Sequence, residues 1–125
     1  MMKLQSALQL SVQEDVETIV LTLVERLDFL DIQILRKFYN TEMEFPNDTQ
    51  PYCFPLLYKE LKTQNHLKIG IEALRKRMGM LVKMGLLEKV RNSNPCSYFP
   101  IKGKEKIVRA IIMKFFLING LTQFL

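Results

Sequence analysis

The chain has one histidine and two cysteines among its 125 residues, and that scarcity removes several chemistries at once. Cys53 and Cys96 stand far apart, with no CxxC and no cysteine–histidine spacing around either, so no zinc site is expected and packing is the role that suits both thiols. No basic residue adjoins either cysteine in sequence, which argues against a redox switch. His66, the single histidine, falls in a polar turn, and no nucleophile, base and orienting group converge around it. An enzyme is therefore not expected. Phosphate-binding loops are missing too: Gly79 and Gly85 belong to a helix and its stop, and Gly103-Lys104 lacks the upstream glycine. No cofactor and no metal are expected.

Long apolar runs are also lacking. The most apolar segment, Ile107 to Leu125, is interrupted by Arg109, Lys114, Asn119 and Gln123, and no signal peptide precedes the first polar stretch. The expectation is a soluble, cytoplasmic protein with no membrane partner, in which the Asn47-Asp48-Thr49 sequon has no meaning. A membrane-surface role for the last helix is disfavoured because Lys104, Lys106, Arg109 and Lys114 do not form one stripe. There is no internal repeat and no low-complexity tract.

What is present is an apolar content of 48%, enough to build the core of one compact domain. The formal net charge is +5 and the isoelectric point about 9.3, but the distribution says more than the sum. From Lys68 to Arg109 eleven basic residues face three acids, a net of +8, whereas the remainder of the chain is net acidic. Such asymmetry suits a chain with one polyanion-facing surface.

Ser11 with Glu14 forms a capping-box signature, and Val12, Val16, Ile19, Leu23, Leu27 and Leu30 follow at spacings of three and four, predicting an amphipathic helix over Val12 to Leu27. A second helix is predicted over Asp31 to Tyr39, with Asp28 as N-cap and Ile32, Leu35 and Phe38 facing inward. Asn40 to Pro55 reads as a loop in which Tyr52 to Phe54 is a candidate strand. Pro55 suits a first helical position for a short helix ending near Lys62. Thr63 to His66 then forms a turn. A further helix is predicted from Ile69 to Met84, with Ile71, Leu74, Met78 and Leu81 on its inner side and Gly85 as its stop. Leu86 to Arg91 and Ser97 to Ile101 read as two strands joined by Asn92-Ser93-Asn94-Pro95. The last helix begins near Lys104 and is apolar on nearly all sides, which is too much apolar surface for a solvated helix.

Helix, short helix, polar turn, helix, strand, turn, strand is the order of a winged helix-turn-helix, whose third helix enters the major groove. The expected architecture is mainly α (α+β): a winged unit with a two-stranded β-wing over residues 28–101, an N-terminal helical extension over 1–27 and a C-terminal helix over 102–125. The expected groove face of the 69–84 helix carries Glu72, Lys76, Gly79, Met80 and Lys83, with Lys68 ahead of it and Arg75 and Arg77 on its flanks. Lysine or arginine there can donate to guanine O6 and N7, and Glu72 can accept from cytosine N4 or complement the helix dipole. Gly79 either lets the helix lie close to the groove wall or serves packing. In the wing, Lys89 and Arg91 with Asn92, Ser93 and Asn94 suit phosphate or minor-groove contact.

The stretch from Tyr58 through Leu74-Arg75-Lys76-Arg77-Met78-Gly79-Met80-Leu81 and Gly85-Leu86-Leu87 to Tyr98-Phe99-Pro100-Ile101 resembles the winged-helix transcriptional regulators of bacteria and archaea, the MarR-like and ArsR-like groups. Met78, Leu81 and Gly85-Leu86-Leu87 match the ending of their recognition helix, and Tyr98 to Ile101 approximates their closing wing strand. The resemblance implies sequence-specific binding of double-stranded DNA by a homodimeric regulator. It departs from the pattern in a longer turn between Leu61 and Leu74 and in lacking the Ser/Thr pair at Lys68-Ile69-Gly70-Ile71. The apolar surface of the two end helices gives an independent reason to expect a homodimer through them, and a small-molecule effector between them is compatible with the seven methionines. The alternative is a winged-helix protein–protein interaction module that does not bind DNA.

Overall fold

The computed structural model of the protein describes residues 16–39 and 51–121. Within them lie five helices and three short strands. Helix α1 covers residues 16–25 and α2 Phe29–Phe38. Strand β1, Tyr52–Cys53, leads directly into α3, Phe54–Gln64. Helix α4 is Ile71–Lys83, β2 is Leu87–Lys89, β3 is Ser97–Pro100 and α5 is Glu105–Ile118. The strands form one antiparallel sheet in the order β1-β3-β2, with Tyr52 opposite Tyr98 and Leu87 opposite Pro100. The molecule is thus mainly helical with a small three-stranded sheet, so the sheet has one strand more than the two-stranded hairpin expected.

Local chemistry accounts for most of the boundaries. Asp28 caps α2 in a reciprocal capping box: its Oδ1 accepts from the Asp31 N–H at 3.0 Å, and Asp31 Oδ2 accepts from the Asp28 N–H at 3.0 Å. Because Asp31 is the third residue of that box, the helix starts at Phe29 and not at Asp31 itself. Pro55 occupies the first turn of α3. That helix runs two residues beyond the expected end at Lys62, so Thr63 and Gln64 are helical. The turn is confined to Asn65–Gly70, where His66 adopts a left-handed φ of 54°. The extra helical residues absorb the length noted between Leu61 and Leu74. Helix α4 ends in a Schellman motif: Gly85, at φ 75°, donates to the Val82 carbonyl at 3.0 Å and Leu86 donates to Leu81 at 3.0 Å. The chain is thereby turned straight into β2.

One hydrophobic core draws on all five helices. Ile32, Ile34 and Leu35 of α2, Leu57 and Leu61 of α3, Leu74, Met78 and Leu81 of α4, and Val108 and Ile111 of α5 are wholly inaccessible to solvent. Helix α1 joins this core only in part along the stripe expected. Leu27, just beyond its end, is buried and Leu23 and Leu30 pack half-buried against the core, whereas Val16 and Ile19 are exposed. Val20 and Val24, on an adjacent stripe of α1, are buried in their place. Residues 12–15 and the Ser11–Glu14 signature, like Asn47-Asp48-Thr49, lie outside the described residues. A second correction concerns Ile71, expected on the inner side of α4 and found 41% exposed. It is the first residue of the helix, and Leu74, Met78 and Leu81 already fill the space between α4 and the core. Phe54, a candidate strand residue, opens α3 instead and is buried. Among the described residues no helix is long and apolar enough to cross a membrane.

The sheet is fastened to the helices through Tyr39, the C-cap of α2. Its buried hydroxyl donates to the Leu86 carbonyl at 2.6 Å and accepts from the Ile101 N–H at 2.7 Å. One oxygen therefore holds both ends of the β2–β3 hairpin at its base, and burial raises the pKa of the phenol above its ordinary value. Tyr39→Phe keeps the ring and strands a carbonyl and an N–H, so it should lower stability by about 1–3 kcal/mol, read as a fall in urea midpoint at unchanged m-value.

Candidate nucleic-acid interface

The positions singled out from sequence converge on one helix and the hairpin that follows it. With Leu74, Met78 and Leu81 buried, α4 turns Glu72, Lys76, Gly79 and Lys83 to solvent on the opposite side. Lys68, in the turn before α4, is exposed as well. The N-cap, Gly70, provides no side-chain hydrogen bond to the first turn, which leaves the amide groups there to water or an anion. Gly79 is exposed, and among the described residues a Cβ built on it would meet nothing within 4 Å. Intramolecular packing is therefore not what calls for glycine at this position, although glycine in a helix interior costs about 1 kcal/mol relative to alanine.

The two flanking arginines behave differently from one another. Arg75 remains exposed, with its guanidinium 5.0 Å from the centre of the Phe54 ring and its Nε 3.8 Å from Glu72 Oε1. The pair with Glu72 is solvated and contributes little to stability, so Arg75 is held near α3 but not consumed. Arg77 is turned the other way. Its Nη1 lies 2.5 Å from Asp28 Oδ2 and 3.1 Å from Asp31 Oδ2, which ties α4 to the start of α2. Arg77 thus has a structural partner that periodicity on α4 alone did not reveal. The signal that would have found it is the Asp28/Asp31 pair itself, two acids on one capping box whose charge needs a cation.

Asp31 is only 2% exposed. Burial, reinforced by the neighbouring negative charge of Asp28, pushes its carboxyl above the usual carboxylate range despite Arg77. Asp28 is partly desolvated, yet the Asp31 N–H and the Arg77 guanidinium outweigh that and hold its carboxyl lower than usual.

The hairpin beyond α4 carries the remaining positions. Lys89, Arg91, Asn92 and Asn94 are exposed and Ser93 is half-buried. The Ser93 hydroxyl donates to the Val90 carbonyl at 3.3 Å and accepts from the Ser97 N–H at 3.0 Å, and Asn92 takes a left-handed φ of 53°. Ser93 therefore shapes the turn from within, while Asn92, Asn94 and Arg91 face outward. Strand β2 ends at Lys89 and not at Arg91, because the chain turns at residues 91–92, where Asn92 is left-handed, just after the Val90 N–H donates to the Ser97 carbonyl; β3 likewise stops at Pro100, one residue short of Ile101. Cys53 lies opposite Ser97 in the sheet, so Cys96 stands on the other face of the strand pair. Both thiols are free and half-buried.

Sequence reasoning expected apolar surface between the end helices but not which residues line it. Val16, Val20 and Leu21 of α1 and Ala110, Met113 and Leu117 of α5 line a depression of about 300 Å³, with Glu17 on one wall and Lys114 on the other. The sequence marked α5 as too apolar for a solvated helix. Val108, Ile111, Ile112, Phe115 and Phe116 meet that demand inside the chain, while Met113 and Leu117 remain 54% and 53% exposed.

Arg77→Ala would leave the buried Asp31 carboxylate without its cation. The expected cost, reduced for the partial exposure of the arginine, is about 1–3 kcal/mol in chemical denaturation, with part recovered by Arg77→Lys, which restores the positive charge on a side chain of different length and shape.

No family model matches the chain, and comparison with curated proteins and with solved structures found no match.

Proposed function

We propose that the chain is a cytoplasmic winged helix-turn-helix protein that binds double-stranded DNA sequence-specifically and regulates transcription as a homodimer. The observation that carries this reading is the solvent face of α4: Lys76 and Lys83 beside the uncrowded Gly79, with a single acid, Glu72, and its opposite side sealed into the core. A cationic helix face that carries no side chain at Gly79 suits insertion into the major groove. The connectivity supports it. A strand between α2 and α3 adds to the edge of the hairpin that follows α4, an order compatible with a winged helix; on this reading α4 is the recognition helix and the segment from Lys89 to Asn94 the wing tip. Lys89, Arg91, Asn92 and Asn94 supply phosphate or minor-groove contacts, Lys68 and the open first turn of α4 a phosphate contact, and Arg75 a base-edge donor. Arg77 stands apart from this set because of its bond to Asp28 and Asp31.

The exposed apolar side chain of Met80 on α4 favours the second reading, a winged-helix module that docks on a protein. Salt dependence separates the two. The chain should bind a random-sequence duplex with log affinity falling steeply against log salt, and Lys76→Ala/Lys83→Ala/Arg91→Ala should flatten the slope by roughly two to three units, about 0.9 for each phosphate no longer neutralised. Undetectable binding at low salt, or a slope indifferent to the triple change, overturns the DNA reading in favour of protein docking.

The homodimer is supported by the groove between α1 and α5. An isologous interface must complement itself, and a groove with Glu17 on one wall and Lys114 on the other does so when a two-fold axis sets each wall against its opposite. Light scattering at micromolar concentration should give twice the chain mass for the native protein and the single mass for Met113→Glu/Leu117→Glu, whose side chains are already half exposed and so leave the fold intact. A native monomer at that concentration overturns the dimer.

A further inference from the structure

An isoleucine in the first turn of a helix either covers core or meets something outside the chain. In α4 the first use is closed, because Leu74, Met78 and Leu81 are wholly buried while Ile71 is 41% exposed. Its surroundings restrict the second use. Gly70 before it has no side chain and open space where a Cβ would stand, Glu72 follows it, and Arg75, one turn on, lies on the same side of the helix with its guanidinium exposed. The start of α4 therefore presents one branched aliphatic group with charged groups close on both sides. A protein-docking patch is a contiguous apolar area with charge excluded from its centre; a single aliphatic side chain hemmed by a carboxylate and a guanidinium is not one. A base-pair edge matches it. Among the groups exposed in the major groove, only thymine offers an apolar one, the C5-methyl, and it stands beside hydrogen-bonding edges on the neighbouring pairs.

We propose that Ile71 is a specificity-determining residue that reads a thymine C5-methyl in the major groove, next to a base pair contacted by Arg75 or Glu72. The inference rests on the DNA-binding reading above and adds to it the identity of one recognised base. The N-terminal end of a recognition helix is where base edges are met, so the position of Ile71 agrees with the role its chemistry suggests.

The test changes the DNA before it changes the protein. Sites selected by the full chain from random duplexes are resynthesised with each thymine replaced in turn by deoxyuridine, which removes the methyl group and keeps every hydrogen-bonding atom. Affinities for the native chain and for Ile71→Ala are then compared at one salt concentration. The expected result is one thymine in the selected site, or one per half-site, whose replacement weakens native binding about fourfold, the worth of one buried methyl-sized group. The same replacement should leave Ile71→Ala binding unchanged, with both proteins keeping the same salt slope. Sites with no deoxyuridine-sensitive thymine, or a weakening shared equally by native and variant, overturn the role of Ile71 while DNA binding stands. Binding that yields no enriched sequence overturns it likewise. Failure to bind any duplex at low salt overturns both readings. A thermal melt of Ile71→Ala, expected close to native for a half-exposed position, keeps misfolding from imitating the result.

Discussion

Much of this structure hangs on the hydroxyl of Tyr39. Three strands of two, three and four residues cannot hold themselves together as an independent sheet. The β2–β3 hairpin begins at the stop of α4 and ends at the approach to α5, and its position relative to the helices is set where those connections meet α2. There a single oxygen satisfies a carbonyl on one side and an amide on the other, both remote from it in sequence. Either group left unpaired in that buried place would carry a desolvation cost comparable to a whole hydrogen bond. The hairpin is in this sense built outward from the end of α2.

The second constraint is electrostatic. A capping box normally serves only its own helix, but here its two carboxylates lie close enough to share charge, and one of them is almost wholly buried. Arg77 makes that arrangement tolerable and, in doing so, fixes the rotation of α4 about its axis from the side away from Arg75. The cation nearest the acids is thus spent on positioning, and the more distant ones are left to the solvent. The charge excess between Lys68 and Arg109 divides accordingly into a member that orients the helix and members that the helix displays.

Elements whose limits are set by local chemistry were legible in the sequence. Asp28 was recognisable as an N-cap, Gly85 as a stop, Pro55 as a first-turn residue of α3 (one position later than expected), and the strand at Tyr52 as a candidate, because each depends on residues within one turn of chain. The buried line Leu74, Met78, Leu81 was legible for the same reason. What could not be read was any choice among local equivalents. Helix α1 carries two adjacent apolar stripes, and only the shape of the core decides that Val20 and Val24 go in while Val16 and Ile19 stay out. Ile71 fits the periodicity of α4 and is excluded by space, not by pattern. Arg77 looks like its neighbours along the chain until α2 is brought against it, and the Tyr39 bridge joins groups too distant for any periodicity to connect. For the proposed interface, the residue types were visible in advance. Their separation into displayed and committed groups was not.

Gly79 has a consequence for how such a chain can be altered. It sits in the middle of α4 where a methyl group would touch nothing, so alanine there is the substitution that helix propensity alone would favour. A selection for thermal endurance, blind to what the helix meets, would take that change early, since nothing inside the molecule opposes it. The glycine thus marks a place where the folded chain forgoes rigidity that it has room to accept. Among the described residues no packing calls for the glycine, and it leaves one point along α4 where an approaching surface would find bare backbone.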